Sequence, residues 1–135
     1  SEMMLGTDSD TEESIRATWD FIKQTRIPIP RFYILTPTPG STLYNLIKSE
    51  NRLLTEDLKE YDGSHCVHKP ANISPQKVNE LYWWIYRKVF SWKSIIQRVI
   101  LNPAALKSPF LYLFALAVNL HYRKYIKKGV PPNIF

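Results

Sequence analysis

Apolar residues near the start of the chain form a short cluster that is followed by a helical pattern. The cluster covers residues 2–5 and stops at Gly6, as a short strand would. Asp10, with Glu13 three residues later, is the predicted N-cap of the helix. Apolar positions then recur at the spacing of one helix face, at Ile15, Trp19 and Ile22. The pattern predicts a strand followed by an amphipathic helix.

A second strand and helix follow in the same order. Residues 31–36 are aromatic and aliphatic enough for a buried strand, and Pro37 lacks the N–H that a ladder needs, so the strand ends near Thr36. Ser41 or Thr42 can cap the next helix. The order strand, helix, strand, helix favours two parallel neighbouring strands joined by a right-handed crossover.

The rest of the chain has helical patterns, and nothing after residue 54 has a convincing strand pattern. Ser74 and Pro75 begin a helix, Ser91 can cap a second, and a third runs from about 108 to 128. The first of these helices has one apolar stripe, at Val78, Leu81, Tyr82, Ile85 and Val89, and the apolar positions of the second are Ile95, Ile96, Val99 and Ile100. The expected fold class is therefore α+β and mostly helical. Because two strands do not make a stable sheet, we expect the chain to be part of a larger protein.

Two motifs in the first half carry a resemblance to a known family. Residues 5–11 and 36–44, followed by residues 51–54 and Tyr61-Asp62, resemble the C-terminal part of radical S-adenosylmethionine proteins that carry a cobalamin-binding domain. The resemblance covers about residues 1–100. It implies that the two βα units end a partial TIM-like barrel, and that a helical C-terminal extension follows.

The resemblance also implies a function for this segment. It would complete the barrel and cover the substrate side, against the upstream barrel and cobalamin-binding domains of the same protein. The complete protein would use S-adenosylmethionine and a [4Fe–4S] cluster, with cobalamin left open. Cys66, the single cysteine, cannot hold such a cluster, so the chain would bind no cofactor and be inactive alone. By the resemblance, five residues lie at the rim approached by S-adenosylmethionine or substrate: Leu5, Gly6, Asp8, Thr36 and Pro37.

Charge divides the chain into two unlike halves. Residues 1–68 contain 11 acids and 7 bases, whereas residues 69–135 contain one acid, Glu80, and 11 bases. We place a boundary in the turn-rich stretch after Tyr61, which gives a barrel-end portion at 1–62 and a basic helical extension at 63–135. An alternative function follows from the second half: a non-catalytic helical module that docks on a membrane surface or a protein partner.

The last helix has an apolar run at 109–118 and a basic, aromatic stretch at 121–128. It can pack against a neighbouring domain, or it can lie at the headgroup level of a membrane with lysines on anionic lipid. No nucleic-acid motif is present, and nucleic acid is the least favoured partner. The expected location is the cytoplasm, with peripheral membrane contact as an option.

The run His65-Cys66-Val67-His68 contains good zinc ligands. Its spacing is too tight for a recognised site, and no second ligand pair follows. Catalytic cysteine chemistry is less favoured still, because neither an oriented base nor an oxyanion site is evident. We therefore predict no metal site and no catalytic residue in this chain.

Overall fold

Two short parallel strands lie side by side in the computed structural model, which describes residues 1–103 and 108–132. Strand β1 is Glu2–Leu5 and strand β2 is Arg31–Ile34, with Leu5 opposite Ile34. Helix α1, Glu12–Thr25, connects them. The predicted parallel neighbours are confirmed, in a mostly helical chain. The finer prediction, that these strands end a TIM-like barrel, is not confirmed by this two-stranded sheet.

Helix α1 begins one residue later than predicted. Its N-cap is Thr11, whose hydroxyl accepts a hydrogen bond from Ser14 N, while Ser14 Oγ accepts one from Thr11 N. Asp10 is therefore not the cap. Its Oδ2 instead accepts hydrogen bonds from the N–H and hydroxyl of Thr7, at 2.9 and 3.0 Å, and closes the turn before the helix. Both residues are good caps, and the turn geometry decides between them.

A long connection separates the βα units from the remaining helices. Helix α2, Thr42–Ser49, is capped by Ser41, one of the two predicted alternatives. The connection contains a single 3-10 turn, Leu58–Glu60, and an antiparallel bridge between Leu53 and His68. It runs back across the carboxyl ends of the strands.

Three helices make up the rest of the described chain. Helix α3 is Pro75–Val89 and helix α4 is Trp92–Ile95, which continues into a π-helical turn at Ile96–Ile100. Helix α5 is Pro109–Lys127. Ser74, Ser91 and Ser108 cap these three helices, as predicted for the first two. Of the apolar positions predicted for the second helix, Ile95 and Val99 are buried, whereas Ile96 and Ile100 are 40% and 44% exposed.

One core joins the two ends of the chain. The stripe of α3 is buried against the sheet face that carries Leu5, Phe32 and Ile34, with Tyr86 in edge-to-face contact with Phe32 at 5.0 Å. The predicted stripe residues are all buried, at Val78, Leu81, Tyr82, Ile85 and Val89. Residues on both sides of position 62 share this core, while the proposed domain boundary there stays a prediction.

The outer edge of β2 is closed by groups that are not strands. The Tyr86 hydroxyl accepts a hydrogen bond from Phe32 N and donates one to Phe32 O, both at 3.0 Å. Ile34 N donates to Gly63 O at 2.7 Å. Because these contacts occupy the backbone groups that face outward, no further strand can pair on this side.

Helix α5 buries only a narrow stripe. Ala115, Asn119, Tyr122 and Ile126 face the core. Phe110, Leu113 and Phe114 are 76%, 62% and 54% exposed. Within residues 1–103 and 108–132, no helix is long and apolar enough to cross a membrane.

Candidate functional site

The carboxyl ends of β1 and β2 are the site that the sequence indicated. Leu35 N donates to Leu5 O at 2.8 Å, which holds the two strand ends together beyond the ladder. Leu5 and Pro37 are buried, and the Thr36 hydroxyl turns back onto Ile34 O at 3.0 Å. The five predicted rim residues thus occupy the ends of adjacent strands. No ligand contact assigns any of them a binding role, so that role stays a prediction.

Gly6 turns the chain sharply where β1 ends. Its φ of +82° favours glycine, and a Cβ there would lie 3.2 Å from a Val78 methyl carbon and 3.5 Å from one of Ile34. A side chain at this position would strain the backbone and force the Val78 methyl group to shift by a few tenths of an ångström. Gly6 therefore sets how closely the loop after β1 approaches the core.

Asp8 is held by an ion pair across the loop. Its Oδ1 and Oδ2 accept hydrogen bonds from Arg52 at 2.7 and 3.0 Å, and Oδ1 accepts another from Ala71 N at 3.0 Å. Arg52 also donates to Lys69 O at 3.1 Å. The hydrogen bonds from Arg52 lower the pKa of Asp8, although desolvation opposes them. An aspartate held in this way is ionised at neutral pH and organises three loop segments.

His68 lies beneath this ion pair and is fully buried. Among the described residues, neither ring nitrogen is aligned for a hydrogen bond. Burial lowers the pKa of His68, and the Asp8 charge and the Gly6 backbone only partly offset this. The imidazole is therefore neutral at pH 7 and adjoins the loop after β1.

The other two potential zinc ligands of residues 65–68, His65 and Cys66, do not converge with His68 on one site. His65 is exposed, with Nδ1 3.0 Å from Asp62 Oδ1. Cys66 is buried, and its Sγ donates to His68 O at 3.3 Å. Burial raises the pKa of this thiol. In the part of the chain that the structure describes, no three side chains of His, Cys, Asp or Glu are grouped to hold a metal ion.

Arg98 is a buried centre that the sequence analysis missed. Its guanidinium donates to Ser94 Oγ at 2.8 Å and to Val89 O at 2.8 Å. It also reaches two carbonyl oxygens between α1 and β2, those of Ile27 and Pro28, at 2.7 and 2.9 Å. Burial lowers the pKa of Arg98 to about 10, so it remains charged at neutral pH. The signal available in the sequence was one arginine inside an apolar run, together with Asn119 in another.

Three named methyltransferases are similar to this chain. A bacteriochlorophyllide d C-12(1)-methyltransferase of Chlorobaculum tepidum is 34% identical over 96 residues, which are 71% of this chain and 21% of the relative. A bacteriochlorophyllide d C-8(2)-methyltransferase of the same organism is 32% identical over 97 residues, 72% of this chain and 22% of the relative. An uncharacterized methyltransferase of Pyrococcus horikoshii is 30% identical over 78 residues, 58% of this chain and 17% of the relative.

These relatives correct the identification made from the sequence motifs. They are named as methyltransferases, and they support neither the radical S-adenosylmethionine assignment nor an iron–sulfur cluster or cobalamin. The alternative of a non-catalytic interaction module is corrected on the same ground. No family model matches the chain, and no solved structure does. The chain is thus similar to a segment of named methyltransferases, and spans about a fifth of the length of the first two.

Proposed function

We propose that this chain is part of a C-methyltransferase that takes its methyl group from S-adenosylmethionine. The observation that carries the proposal is the similarity to two enzymes named for methyl transfer to different carbon positions of bacteriochlorophyllide d. The proposed acceptor is a bacteriochlorophyllide-like tetrapyrrole. The third relative is also named as a methyltransferase, but its name gives no acceptor. It therefore supports methyl transfer and does not bear on the acceptor.

The loops at the carboxyl ends of β1 and β2 would support the reaction by holding the proposed binding surface for S-adenosylmethionine or acceptor in a fixed shape. Asp8 is engaged by Arg52 and Ala71, so it is an anchor rather than an available base. Gly6 permits the sharp turn after β1, and Pro37 restricts the backbone after β2. We propose that the βαβ unit belongs to a larger parallel sheet, as the finer prediction of a barrel end would have it, with S-adenosylmethionine or acceptor at this rim.

The test is methyl transfer by a polypeptide that carries this chain and has the length of the relatives. It would be incubated with S-adenosylmethionine labelled in the methyl group and with bacteriochlorophyllide d. Label on a carbon atom of the acceptor is expected. Absence of transfer by a folded polypeptide to this acceptor and to related tetrapyrroles would overturn the proposal.

A matched pair of variants tests the role of the rim. Arg52→Gln removes the ion pair to Asp8 and should lower the transfer rate by loosening the loop. Lys59→Gln changes an exposed cation of the same connection and should leave the rate unchanged. Equal transfer rates for the two variants would show that the Arg52–Asp8 ion pair does not contribute to the reaction.

A second proposal concerns contact with a membrane surface. The outward side of α5 is apolar at Phe110, Leu113 and Phe114, and basic at Lys124 and Lys128. No acidic residue follows Glu80 in the sequence, so α5 itself carries no side chain that repels anionic lipid. Peripheral binding to an anionic membrane would bring the enzyme to a poorly water-soluble acceptor.

A further inference from the structure

The two edges of the sheet differ in whether their outward backbone groups are hydrogen-bonded. On β2, the outward backbone groups are occupied by Tyr86 and Gly63. On β1, Ser1 O and Leu5 O accept hydrogen bonds from the β2 side, so the odd-numbered residues face β2. The N–H and C=O groups of Glu2 and Met4 therefore point outward. Among the described residues, none donates to or accepts from them.

The surface beside this open edge is apolar. Met4 is 57% exposed, and Phe21, on the adjacent flank of α1, is 52% exposed. The two residues line a shallow groove between strand and helix, together with Met3, Ser14, Ala17 and Thr18. A free edge normally carries a charge, a proline or a bulge that prevents pairing. Strand β1 carries one charge, Glu2 at its first position, which pairs with Arg31 of β2 at 3.4 Å, and residues 3–5 carry no charge and no proline.

We propose that the outer edge of β1 binds a parallel strand from another βα unit of the methyltransferase, whose helix packs on Ala17 and Phe21. The choice of occupant rests on the proposed function. About four fifths of the length of the first two relatives lies outside the segment that this chain matches, which is long enough to contain such a unit. A hairpin strand without a helix would pair with Met4 but leave Phe21 uncovered. A βα unit covers both, because parallel strands are joined through helices on the sheet face.

Amide hydrogen exchange in the polypeptide of the relatives' length tests this pairing. The Met3 and Leu5 amides bond to β2 and serve as internal references. The Met4 amide should be protected to a similar degree, with exchange at least about 100-fold slower than in an unstructured chain. A Met4 amide that exchanges freely beside protected Met3 and Leu5 would overturn the proposal. Protection that depends on protein concentration would assign the edge to a second copy, and would overturn it too.

A proline variant gives an independent measurement. Met4→Pro removes the outward N–H, which makes no bond to β2, and should lower the thermal midpoint of the longer polypeptide, because the ring would meet the added strand. Thr18→Ala, in the same groove, is the matched control and should leave the midpoint nearly unchanged. An unaltered midpoint in Met4→Pro would count against the added strand. Methyl transfer by the unmodified sample is measured in parallel, so failure of the edge proposal and failure of the function are distinguishable.

Discussion

Arg98 donates a hydrogen bond from Nη2 to Asn119 Oδ1 at 3.0 Å, and Asn119 in turn donates to Pro28 O at 2.9 Å. Two residues from different helices thereby hold the segment that leads into β2. The five N–H groups of the guanidinium meet five acceptors, so the charge is buried without a carboxylate. This network fixes the helical half of the molecule to the sheet.

Replacing Arg98 should therefore destabilise the fold strongly. Arg98→Met leaves several buried acceptors unpaired, and a loss of roughly 3 kcal/mol or more is expected, because hydrogen bonds to charged groups contribute about 1.5–3 kcal/mol each. The measurement is the free energy of unfolding in denaturant. Arg87→Met, at an exposed position, is the control and should change it by less than about 0.5 kcal/mol. Similar losses in both variants would show that the network adds little.

Tyr86→Phe isolates the edge contact of β2. The variant keeps the ring against Phe32 but leaves the Phe32 backbone N–H and C=O without their hydroxyl partner. Unfolding free energy should fall by about 1–3 kcal/mol. Tyr125→Phe removes a half-exposed hydroxyl and serves as the control. If the two variants are equally stable, the hydroxyl does not close the edge in solution.

Stability should fall at mildly acidic pH because of His68. Burial lowers the pKa of His68 in the folded state, so the unfolded chain binds the proton more readily below about pH 6.5. The stability is complete above that pH and is lost as pH falls toward the lowered pKa. His68→Leu should flatten the dependence, whereas His121→Gln should retain it. Unfolding free energies measured between pH 5 and 8 decide the matter, and a slope that survives in His68→Leu would assign it to other groups.

Anionic vesicles test the membrane proposal for α5. The chain should co-sediment with anionic vesicles more than with neutral ones, and added salt should weaken binding. Replacing Lys124, Lys127 and Lys128 by Gln should cost about 1 kcal/mol of binding per charge. Lys23→Gln and Lys59→Gln, outside the basic half, are the controls. Binding that is absent or insensitive to salt would contradict the membrane proposal and favour a protein contact at the exposed Phe110, Leu113 and Phe114 of α5.

Local patterns predicted most of the backbone. Ser74 and Pro75 are a cap and a first-turn proline, and the stripe of α3 is read directly from its 3.6-residue period. The parallel strands followed from the helix between them. The predicted cap of α1 was wrong because Asp10 and Thr11 are both suited to it. Only the hydrogen bonds show that Asp10 closes the turn with Thr7 while Thr11 caps the helix through Ser14.

Long-range contacts account for what the sequence did not show. Asp8 and Arg52 are 44 positions apart, and nothing in their local sequence pairs them. The contacts of Arg98 reach 71 positions back to Ile27. The rim residues were found at the strand ends as expected, but their ion pair and the buried imidazole beneath it depend on how the connection folds back. The motif resemblance, in turn, indicated a larger enzyme but a reaction class that the relatives do not support.

The buried thiol of Cys66 can be used to measure local opening of the protein. Its thiol is the only one in the sequence, it is 7% exposed, and its pKa is raised by burial. Because the side chain is buried, a thiol reagent reaches it only when the segment beside α3 separates from the core, and the thiolate is then the form that reacts. The labelling rate at a fixed pH would thus measure how often this one segment opens, without any engineered probe.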